Sequence, residues 1–404
     1  MRRLKVLFVA KRFPFPLDTG GKIRTAKLLE KLSRDLDITL VSNVEHAKDA
    51  PWVAQARRLC TEFHAVPWRE APKDTSRFYL NVLRWVFSRY PVGVAGDYSA
   101  PFAATIRSLL RSSRHDLIVC DYLQPSINLR GITGYPTLLF EHNVESVILK
   151  RHAETARHPA LRLFWSQQWR KMERYEREAC ARFSGVVAVS EVDKALLSER
   201  FRARRVFAIP TAVDADYFRP DGGPRLESGL VFTGSMDWLP NEDAILFFAE
   251  EILGRIRARV PNVTLTVVGR NPSSRLRRRL AGHPEVRVTG RVEDVRPYVA
   301  GHAVYVVPLR IGGGTRIKIY EAMAMGRAVV STPVGAEGLP VRHGEQLLLA
   351  EAPEEFAAAV VKLLTEPDTR ARLGRAAREF VEAHCSWDAA AAAFGDACRQ
   401  VAGG

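Results

Sequence analysis

A glycine-rich loop that leads into a helix carries the side chains best suited to chemistry in this sequence. The loop and the helix start contain Gly312, Gly313, Gly314, Thr315, Arg316, Lys318 and Glu321. Glycines let successive backbone N–H groups face one ligand, and a helix start adds more N–H groups and the positive end of its dipole. Such donors and two cations suit a phosphate, whereas a carboxylate accepts hydrogen bonds from paired sugar hydroxyls. The segment therefore predicts a nucleotide-sugar site; the simpler alternative is a helix with a basic first turn.

Length and composition restrict the class of protein. The 404 residues are too many for one ordinary hydrophobic core and suit two domains. Hydrophobic residues make up 47% and charged residues 26%, as in a globular chain. No apolar run reaches the roughly 18 residues of a membrane span, and the basic start is predicted to be a strand rather than a signal peptide. Five scattered cysteines without a CxxC pair predict reduced thiols in the cytoplasm and no zinc site.

The positive charge is concentrated in the first half of the chain. Residues 1–220 carry a net charge of +14, with 37 Lys and Arg against 23 Asp and Glu, out of +15 for the whole chain. This imbalance predicts an anionic membrane, a phosphorylated substrate or nucleic acid as a partner, with plain solubility as the alternative. Because the basic residues are dispersed and no nucleic-acid-binding signature is present, we do not expect specific nucleic-acid binding.

Residues 77–91 combine aromatic residues with arginines. Apolar residues at 78, 82, 85, 86 and 90 fit one face of a helix. Such a helix can lie in a membrane interface, where a lipid-linked acceptor would be found, or it can cover the sheet with its arginines in water. Both interpretations stay open at this stage.

Short apolar runs alternate with longer amphipathic segments along the whole chain. This pattern is typical of parallel sheets flanked by helices. The predicted strands are residues 4–10, 38–43, 116–120, 137–143, 186–190, 205–210, 229–235, 263–269, 286–291, 303–309, 327–332 and 346–350. Helices are predicted after the first strand, over about 144–183, and after an N-cap at Asn241.

The predicted fold class is α/β, with two doubly wound Rossmann-like domains. Residues 1–212 form the first domain, residues 213–228 a linker rich in proline, glycine and acidic residues, and residues 229–385 the second domain. Residues 386–404 are predicted to form a C-terminal helix because their alanine-rich body favours helix. Ligands of such sheets bind at the carboxyl ends of the strands.

Several segments, taken in order, resemble retaining glycosyltransferases of the GT-B fold, in particular glycosyltransferase family 4. They are FPFPLDTGGKIRTAKLLEKL, EHNVES, SGVVAVSEVDKALL, IPTAVDADYFRP, VFTGSMDWLPNEDAILFF, VVGR, VTGRVEDVRPYVAGHAVYVVPL and EAMAMGRAVVST. The resemblance implies two domains that face a central cleft, a donor site in the second, an acceptor site in the first, and a C-terminal helix that returns to the first domain.

The resemblance also implies a reaction. It is transfer of a sugar from a nucleotide sugar, UDP- or GDP-linked, to a saccharide or lipid-linked acceptor in cell-surface polysaccharide or glycolipid synthesis. No metal or other cofactor is expected, because cations and a helix start can balance the diphosphate charge. The enzyme is expected in the cytoplasm, with possible peripheral contact to the inner face of the plasma membrane through the basic first domain.

Site residues follow residue by residue from the resemblance. Those assigned catalytic roles are His142, Arg316, Lys318 and Glu321. Those assigned to the donor or its phosphates are Gly20, Gly21, Gly234, Arg270, Arg291, Gly313, Gly314 and Thr315. Glu321 is expected at the ribose and His142 at the donor sugar, in a polar cluster with Glu141 and Asn143 rather than in the core. No general base is assigned, since the leaving phosphate can take the acceptor's proton.

The sequence departs from the family pattern in two places. The family signature has two glutamates separated by seven residues, and the first of these positions is Gly313. Ser235, Met236 and Asp237 stand in a segment where many members place a basic residue at the diphosphate. Two alternatives therefore stay open: a sugar-nucleotide epimerase of the same architecture, and a donor-binding protein that has lost activity.

Overall fold

The computed structural model describes residues 2–69, 75–156, 158–223, 225–313 and 316–403, without the side chains of residues 77–79. The chain divides into two compact units, Met1–Pro210 with Trp387–Gly404, and Thr211–Ser386. Residues 213–228, which the sequence suggests as a linker, are grouped with the second unit. Each unit is built on its own parallel sheet.

The sheet of the first unit has the strand order β3-β2-β1-β4-β5-β6-β7 in the described part of the chain. Its strands are β1 (Lys5–Val9), β2 (Asp37–Val44), β3 (Glu62–Pro67), β4 (Leu117–Asp121), β5 (Thr137–Phe140), β6 (Gly185–Ala188) and β7 (Val206–Ala208). β1, β4, β5 and β6 are buried almost throughout, because helices cover both faces. Their near-continuous apolar sequences are therefore what made them predictable.

Helices connect and cover these strands. They are α1 (Gly20–Leu32), α2 (His46–Asp49), α3 (Val53–Arg57), α4 (Ser76–Val86), α5 (Val92–Asp97), α6 (Ala100–Ser112), α7 (Glu145–Thr155), α8 (Pro159–Arg182) and α9 (Glu191–Glu199). Short 3-10 turns lie at Ala50–Trp52 and Gln124–Leu129.

Two elements of the first unit differ from the sequence prediction. β3 was not predicted, because this edge strand is mostly exposed and its sequence, EFHAVP, lacks an apolar run. The single helix predicted over about 144–183 is two helices, α7 and α8. Pro159 opens α8, where its missing N–H costs nothing, and the side chain of His158 caps that helix start.

The contacts of α4 show which face of the segment 77–91 packs against the protein. Trp85 lies against α5, where a Cβ atom added to Gly96 would come within 3.1 Å of its ring. The predicted apolar face therefore covers the protein, apart from Phe78, whose side chain lies outside the described residues. Leu83 and Phe87, on another face, are 57% and 82% exposed.

The sheet of the second unit has the order β10-β9-β8-β11-β12-β13. Its strands are β8 (Leu226–Thr233), β9 (Thr264–Val268), β10 (Val286–Gly290), β11 (His302–Val307), β12 (Ala328–Ser331) and β13 (Leu348–Leu349). Its helices are α10 (Leu239–Phe247), α11 (Leu253–Arg257), α12 (Ser274–Leu280), α13 (Arg296–Ala300), α14 (Ile317–Ala324), α15 (Pro353–Thr365) and α16 (Pro367–His384). A π-helical turn, Phe248–Ile252, joins α10 to α11.

The last helix, α17 (Trp387–Ala402), belongs to the first unit, as the resemblance implies. Its Phe394 ring packs edge-on against Phe140 of β5 at a centroid distance of 5.0 Å. Asp388, in the first turn of α17, forms an ion pair with Lys31 of α1, with 2.7 Å between Oδ1 and Nζ. The first unit is therefore completed by residues that follow the whole second unit in sequence.

Candidate active site

The order of strands reverses beside β8 in the second unit. β8 pairs with β9 on one side and with β11 on the other, so the loops after β8 and β11 diverge from neighbouring strand ends. Ligands of open α/β sheets bind outside the carboxyl ends of strands at such a point. Residues 234–238 follow β8, and residues 308–316 lead from β11 into α14.

Lys318 connects these two loops. Its Nζ atom donates a hydrogen bond to Oδ1 of Asn241 at 2.9 Å and lies 4.1 Å from the centre of the Phe232 ring. Nδ2 of Asn241 in turn donates to the carbonyl oxygen of Ser235 at 2.8 Å. The ammonium thus reaches the loop in which the family pattern predicts a basic residue and this chain has none.

Gly234 is required for this arrangement. A Cβ atom at this position would lie 2.7 Å from Nζ of Lys318 and 2.7 Å from Nδ2 of Asn241. The backbone is equally close on its other side, because a Cβ atom at Gly269 would lie 1.8 Å from the carbonyl oxygen of Gly234. The glycine at residue 234 therefore makes room for a cation from a distant helix.

Burial changes the proton affinity of the two ionisable groups on α14. Burial lowers the pKa of Lys318 to about 7, and the nearby Arg316 guanidinium acts in the same direction. Burial raises the pKa of Glu321 to about 7, and the Lys318 ammonium opposes that shift. The half-buried Glu321 lies one turn further along the helix and can accept hydroxyl hydrogen bonds when ionised.

Arg316 stands at the N-cap position of α14 and is 6% exposed. Its Nη1 atom donates to the carbonyl oxygen of Gly313, and its guanidinium lies 5.4 Å from the centre of the Trp238 ring. A Cβ atom at Gly312 would come within 1.8 Å of Nη2, so a larger residue there would move the guanidinium. Gly314 and Thr315, both predicted donors to the phosphate, lie outside the described residues.

The other two predicted cations of this unit, Arg270 and Arg291, lie at the border of this site and at the surface of the unit, respectively. Nε of Arg270 donates to Oγ of Ser235 at 2.8 Å, and its Nη2 atom lies 3.9 Å from Oδ2 of Asp237. Arg270 therefore borders the same loop with a carboxylate beside it. Arg291 is exposed and follows Gly290, the last residue of β10.

Sequence reasoning misjudged Asn241. It is not the N-cap of α10, because that helix begins at Leu239 and Trp238 occupies the cap position. Asn241 lies in the first turn, 3% exposed, and holds Lys318. No local sequence pattern indicated this role, because Asn241 and Lys318 are 77 positions apart in the chain.

The first unit has a polar cluster at its own point of strand-order reversal, beside β1 and β4. Nε2 of His142 lies 2.7 Å from Oδ1 of Asp121, and the hydroxyl of Thr25 donates to Oδ2 of Asp121 at 2.7 Å. His142 and Asp121 are 4% and 1% exposed. Asp121 therefore fixes the orientation of the predicted histidine, and sequence reasoning did not identify it.

Tyr122 covers this cluster. Its ring stacks on His142 at a centroid distance of 4.1 Å, and its backbone adopts a φ of 74°, which is unusual for a residue other than glycine. A Cβ atom at Gly21 would lie 1.7 Å from the tyrosine hydroxyl. Gly21 therefore accommodates Tyr122, while Gly20 is exposed at the first position of α1.

Burial lowers the pKa of His142, and the Asp121 carboxylate opposes that shift. The expectation that Glu141 and His142 lie outside the core was wrong, since Glu141 is 2% exposed. Glu176 of α8 is also buried and accepts hydrogen bonds from the N–H groups of Glu145 (2.8 Å) and Ser146 (3.2 Å). It thus caps α7 directly after the His142 loop, which sequence reasoning also missed.

These buried carboxyls make stability depend on pH. Burial raises the pKa of Glu176 to about 8 and that of Glu141 well above its ordinary value. The folded state therefore holds protons that the unfolded chain releases, so the free energy of unfolding should fall as pH rises from about 4.5 to about 8. Glu176→Gln should lose less stability than the wild type over this pH range, by at most about 5 kcal/mol, measured by urea unfolding at several pH values. An unchanged slope would contradict the assignment.

The predicted residues thus fall into two groups, each within one unit. Gly234, Gly313, Arg316, Lys318 and Glu321 gather at the carboxyl edge of the second sheet, with Arg270 at its border. Gly21 and His142 gather at the same edge of the first sheet.

Two family comparisons match this chain. The family Glycosyl transferases group 1 matches residues 227–366, and Glycosyltransferase Family 4 matches residues 89–217. The first match contains the whole Gly234–Lys318–Glu321 arrangement, and the second contains Asp121 and His142. The chain is a family 4 glycosyltransferase.

Relatives and solved structures agree with this assignment. The glycosyltransferase is 34% identical over 187 residues to a phosphatidyl-myo-inositol mannosyltransferase of Mycobacterium tuberculosis, over 44% of this chain and 48% of that protein. Its fold matches sucrose-phosphate synthase of Thermosynechococcus elongatus with a TM-score of 0.74 and 19% identity over 99% of both chains. It also matches Anabaena HepE in complex with UDP and glucose, with a TM-score of 0.66 and 13% identity over 98% and 100%. The chain thus has the two-domain GT-B fold and matches about half the length of the mannosyltransferase.

These similarities support transfer of a sugar from a nucleotide sugar to a saccharide or glycolipid acceptor, and they do not favour an epimerase. In the described part of the glycosyltransferase, no helix is both long and apolar enough to cross a membrane.

Proposed function

We propose that this glycosyltransferase binds the diphosphate of a UDP- or GDP-sugar between residues 234–238 and the start of α14. Lys318 and Arg316 balance the charge of the leaving diphosphate, and Glu321 binds the ribose hydroxyls. The sugar passes, with retention of configuration and without a metal ion, to a saccharide or lipid-linked acceptor held by the first unit. The convergence of Lys318, Asn241 and Gly234 is the observation that carries this proposal.

The electrostatics of α14 support the diphosphate assignment. Lys318 and Arg316 are two cations in and beside the first helical turn, where the helix dipole also favours an anion. Two cations this close together attract an anion strongly, because the partly buried site screens their charge weakly. A diphosphate supplies that anion, and its charge grows as the bond to the sugar breaks.

In the first unit, we assign His142 the role of holding a hydroxyl group of a saccharide substrate. Asp121 accepts from one ring nitrogen and so fixes the ring. The histidine then positions a substrate group rather than acting as a general base, in keeping with proton transfer to the leaving phosphate.

We place the enzyme in the cytoplasm, in contact with the inner face of the plasma membrane. The basic first unit carries exposed apolar residues on and just after α4: Leu80, Leu83 and Phe87, with exposures of 66%, 57% and 82%. Their spacing puts them on one face of a helix, next to the exposed Arg84. This combination suits an anionic lipid surface that carries the acceptor.

The donor site is tested by thermal unfolding with UDP, GDP, ADP and their sugar conjugates. One nucleotide class should raise the melting temperature of the wild type, since a ligand at 100 times its Kd stabilises by about 2.7 kcal/mol. The shift should persist in EDTA and disappear in Arg316→Ala and Glu321→Ala. If no nucleotide stabilises the wild type, the donor site is wrong; if EDTA removes the shift, the metal-free mechanism is wrong.

The membrane proposal is tested by flotation with vesicles of phosphatidylcholine and phosphatidylglycerol. Wild type should float with anionic vesicles and detach in high salt, because both apolar insertion and charge contribute. A Leu83→Ser/Phe87→Ser variant should float several-fold less, whereas Val192→Ser on α9, which removes another exposed apolar residue, should behave as wild type. Equal flotation of both variants would contradict the proposal.

A further inference from the structure

A second polar group lies at the carboxyl edge of the first sheet, away from His142. Lys11 follows β1 and is 6% exposed, and its Nζ atom pairs with Oδ1 of Asp97 at 2.9 Å. The same ammonium lies 4.4 Å from the centre of the half-buried Trp68 ring, just after β3. The Asp97 side chain is 31% exposed, so this group opens to solvent.

Asn43, near the end of β2, belongs to this group. Its backbone N–H donates to the carbonyl oxygen of Lys11 at 3.1 Å, and it stands opposite Val66 in the sheet register, two residues before Trp68. Lys11, Asn43 and Trp68 therefore end three neighbouring strands on the same face, because side chains two residues apart in a strand share a face.

The amide of Asn43 has an unmet hydrogen-bonding capacity. The residue is 5% exposed, and in the described structure neither Oδ1 nor Nδ2 has a hydrogen-bond partner. A buried amide without partners destabilises a fold, so such groups are rare unless they serve another purpose. A ligand that both donates and accepts hydrogen bonds would satisfy both atoms.

The charge of the group indicates the class of ligand. Lys11 and Asp97 are paired and carry no net charge, and Asn43 is neutral, so an anion gains little here. Hydroxyl groups, in contrast, donate to Asp97 and Oδ1 of Asn43 and accept from Nδ2, and the Trp68 ring offers an apolar wall.

We propose that Asn43, Lys11, Asp97 and Trp68 form a binding subsite for a neutral, hydroxyl-bearing sugar ring of the acceptor. The inference rests on the proposed function, because it names part of the acceptor site of the same transfer reaction. Because Asn43 is 5% exposed, binding of the ring includes a local movement that opens its amide. The His142 cluster is then left for the donor sugar.

The test uses Asn43→Val, which removes the amide but suits a strand, with Asn43→Ala as a second variant. Ser42→Ala, a buried polar residue on the opposite face of β2, is the matched control. For each protein we would measure the melting temperature alone, with the stabilising nucleotide, and with methyl glycosides of the common hexoses and N-acetylhexosamines. The transfer rate to those glycosides is measured in parallel.

We expect at least one glycoside to stabilise wild type and Ser42→Ala equally. Both Asn43 variants should keep the nucleotide response but lose the glycoside response, with a KM for the glycoside at least tenfold higher. Retention of that response in both variants, or failure of every glycoside on wild type, overturns the subsite. If glycosides stabilise the wild type but no nucleotide does, the proposed function is contradicted instead. The two failures are therefore distinguishable.

Discussion

Lys318→Met is expected to abolish nucleotide-sugar binding without weakening the fold. Methionine is unbranched and only one atom shorter than lysine, but it brings no charge to residues 234–238. Removing one group that stabilises a developing anion typically lowers kcat about 10²- to 10³-fold, and we expect at least that loss in kcat/KM. The variant should also lose the rise in melting temperature that the nucleotide causes in the wild type.

The unliganded variant distinguishes a functional lysine from a structural one. Burial disfavours the ammonium form, as its pKa of about 7 indicates, and its removal offsets the loss of the hydrogen bond to the buried Asn241, so the melting temperature should change little. Lys362→Met, an exposed position on α15, is the matched control and should keep both activity and nucleotide response. A Lys318→Met enzyme that still responds to nucleotide would contradict the site.

The pKa values of Lys318 and Glu321 give the pH dependence of donor binding. Because Lys318 loses its proton near pH 7 in the free enzyme, donor binding above that pH must first restore it. Glu321, whose pKa is raised to about 7, must in turn be ionised to accept hydrogen bonds from the ribose. Donor affinity should therefore peak near pH 7 and fall on either side, by up to roughly tenfold per pH unit, and calorimetry in buffers of different ionisation enthalpy should detect proton uptake on binding above pH 7 and proton release below it.

Asp121→Asn is expected to lower kcat roughly 10- to 100-fold while leaving nucleotide binding intact. The carboxylate accepts hydrogen bonds from both Thr25 and His142. An amide offers one acceptor oxygen and one NH2 donor in the same place, so either His142 changes tautomer or the Thr25 hydroxyl must accept instead of donating. We expect the free energy of unfolding to fall as well, by on the order of 1–3 kcal/mol, because two hydrogen bonds to a buried carboxylate are replaced by weaker ones to a neutral amide.

Kinetics separate positioning from plain destabilisation. At a temperature well below unfolding, a misplaced His142 lowers kcat, whereas the shift in melting temperature caused by nucleotide alone stays that of the wild type. His142→Gln should show the same pattern, and Asp35→Asn, an exposed carboxylate, should show none of it. Full activity in folded Asp121→Asn would contradict the role of the pair.

The sequence predicted best those features whose residues lie close together in the chain. The segment that we propose as the donor loop was noticeable because glycines, cations and a carboxylate lie within ten residues. The buried strands were predictable because both of their faces are covered. Asn241 and Asp121 were missed because their partners are distant in sequence and only the fold joins them. β3 was missed for the opposite reason, since an exposed edge strand has no need of an apolar pattern.

The placement of α17 has a consequence for synthesis of the chain. The ribosome releases residues 1–210 first, yet the surface of α1 and β5 that receives Trp387–Ala402 stays uncovered until translation has passed the entire second unit. The unit that is made first is therefore completed last. A nascent chain that stalls before Trp387 would expose apolar surface at Phe140 and depend on chaperones, even though its second unit was already whole.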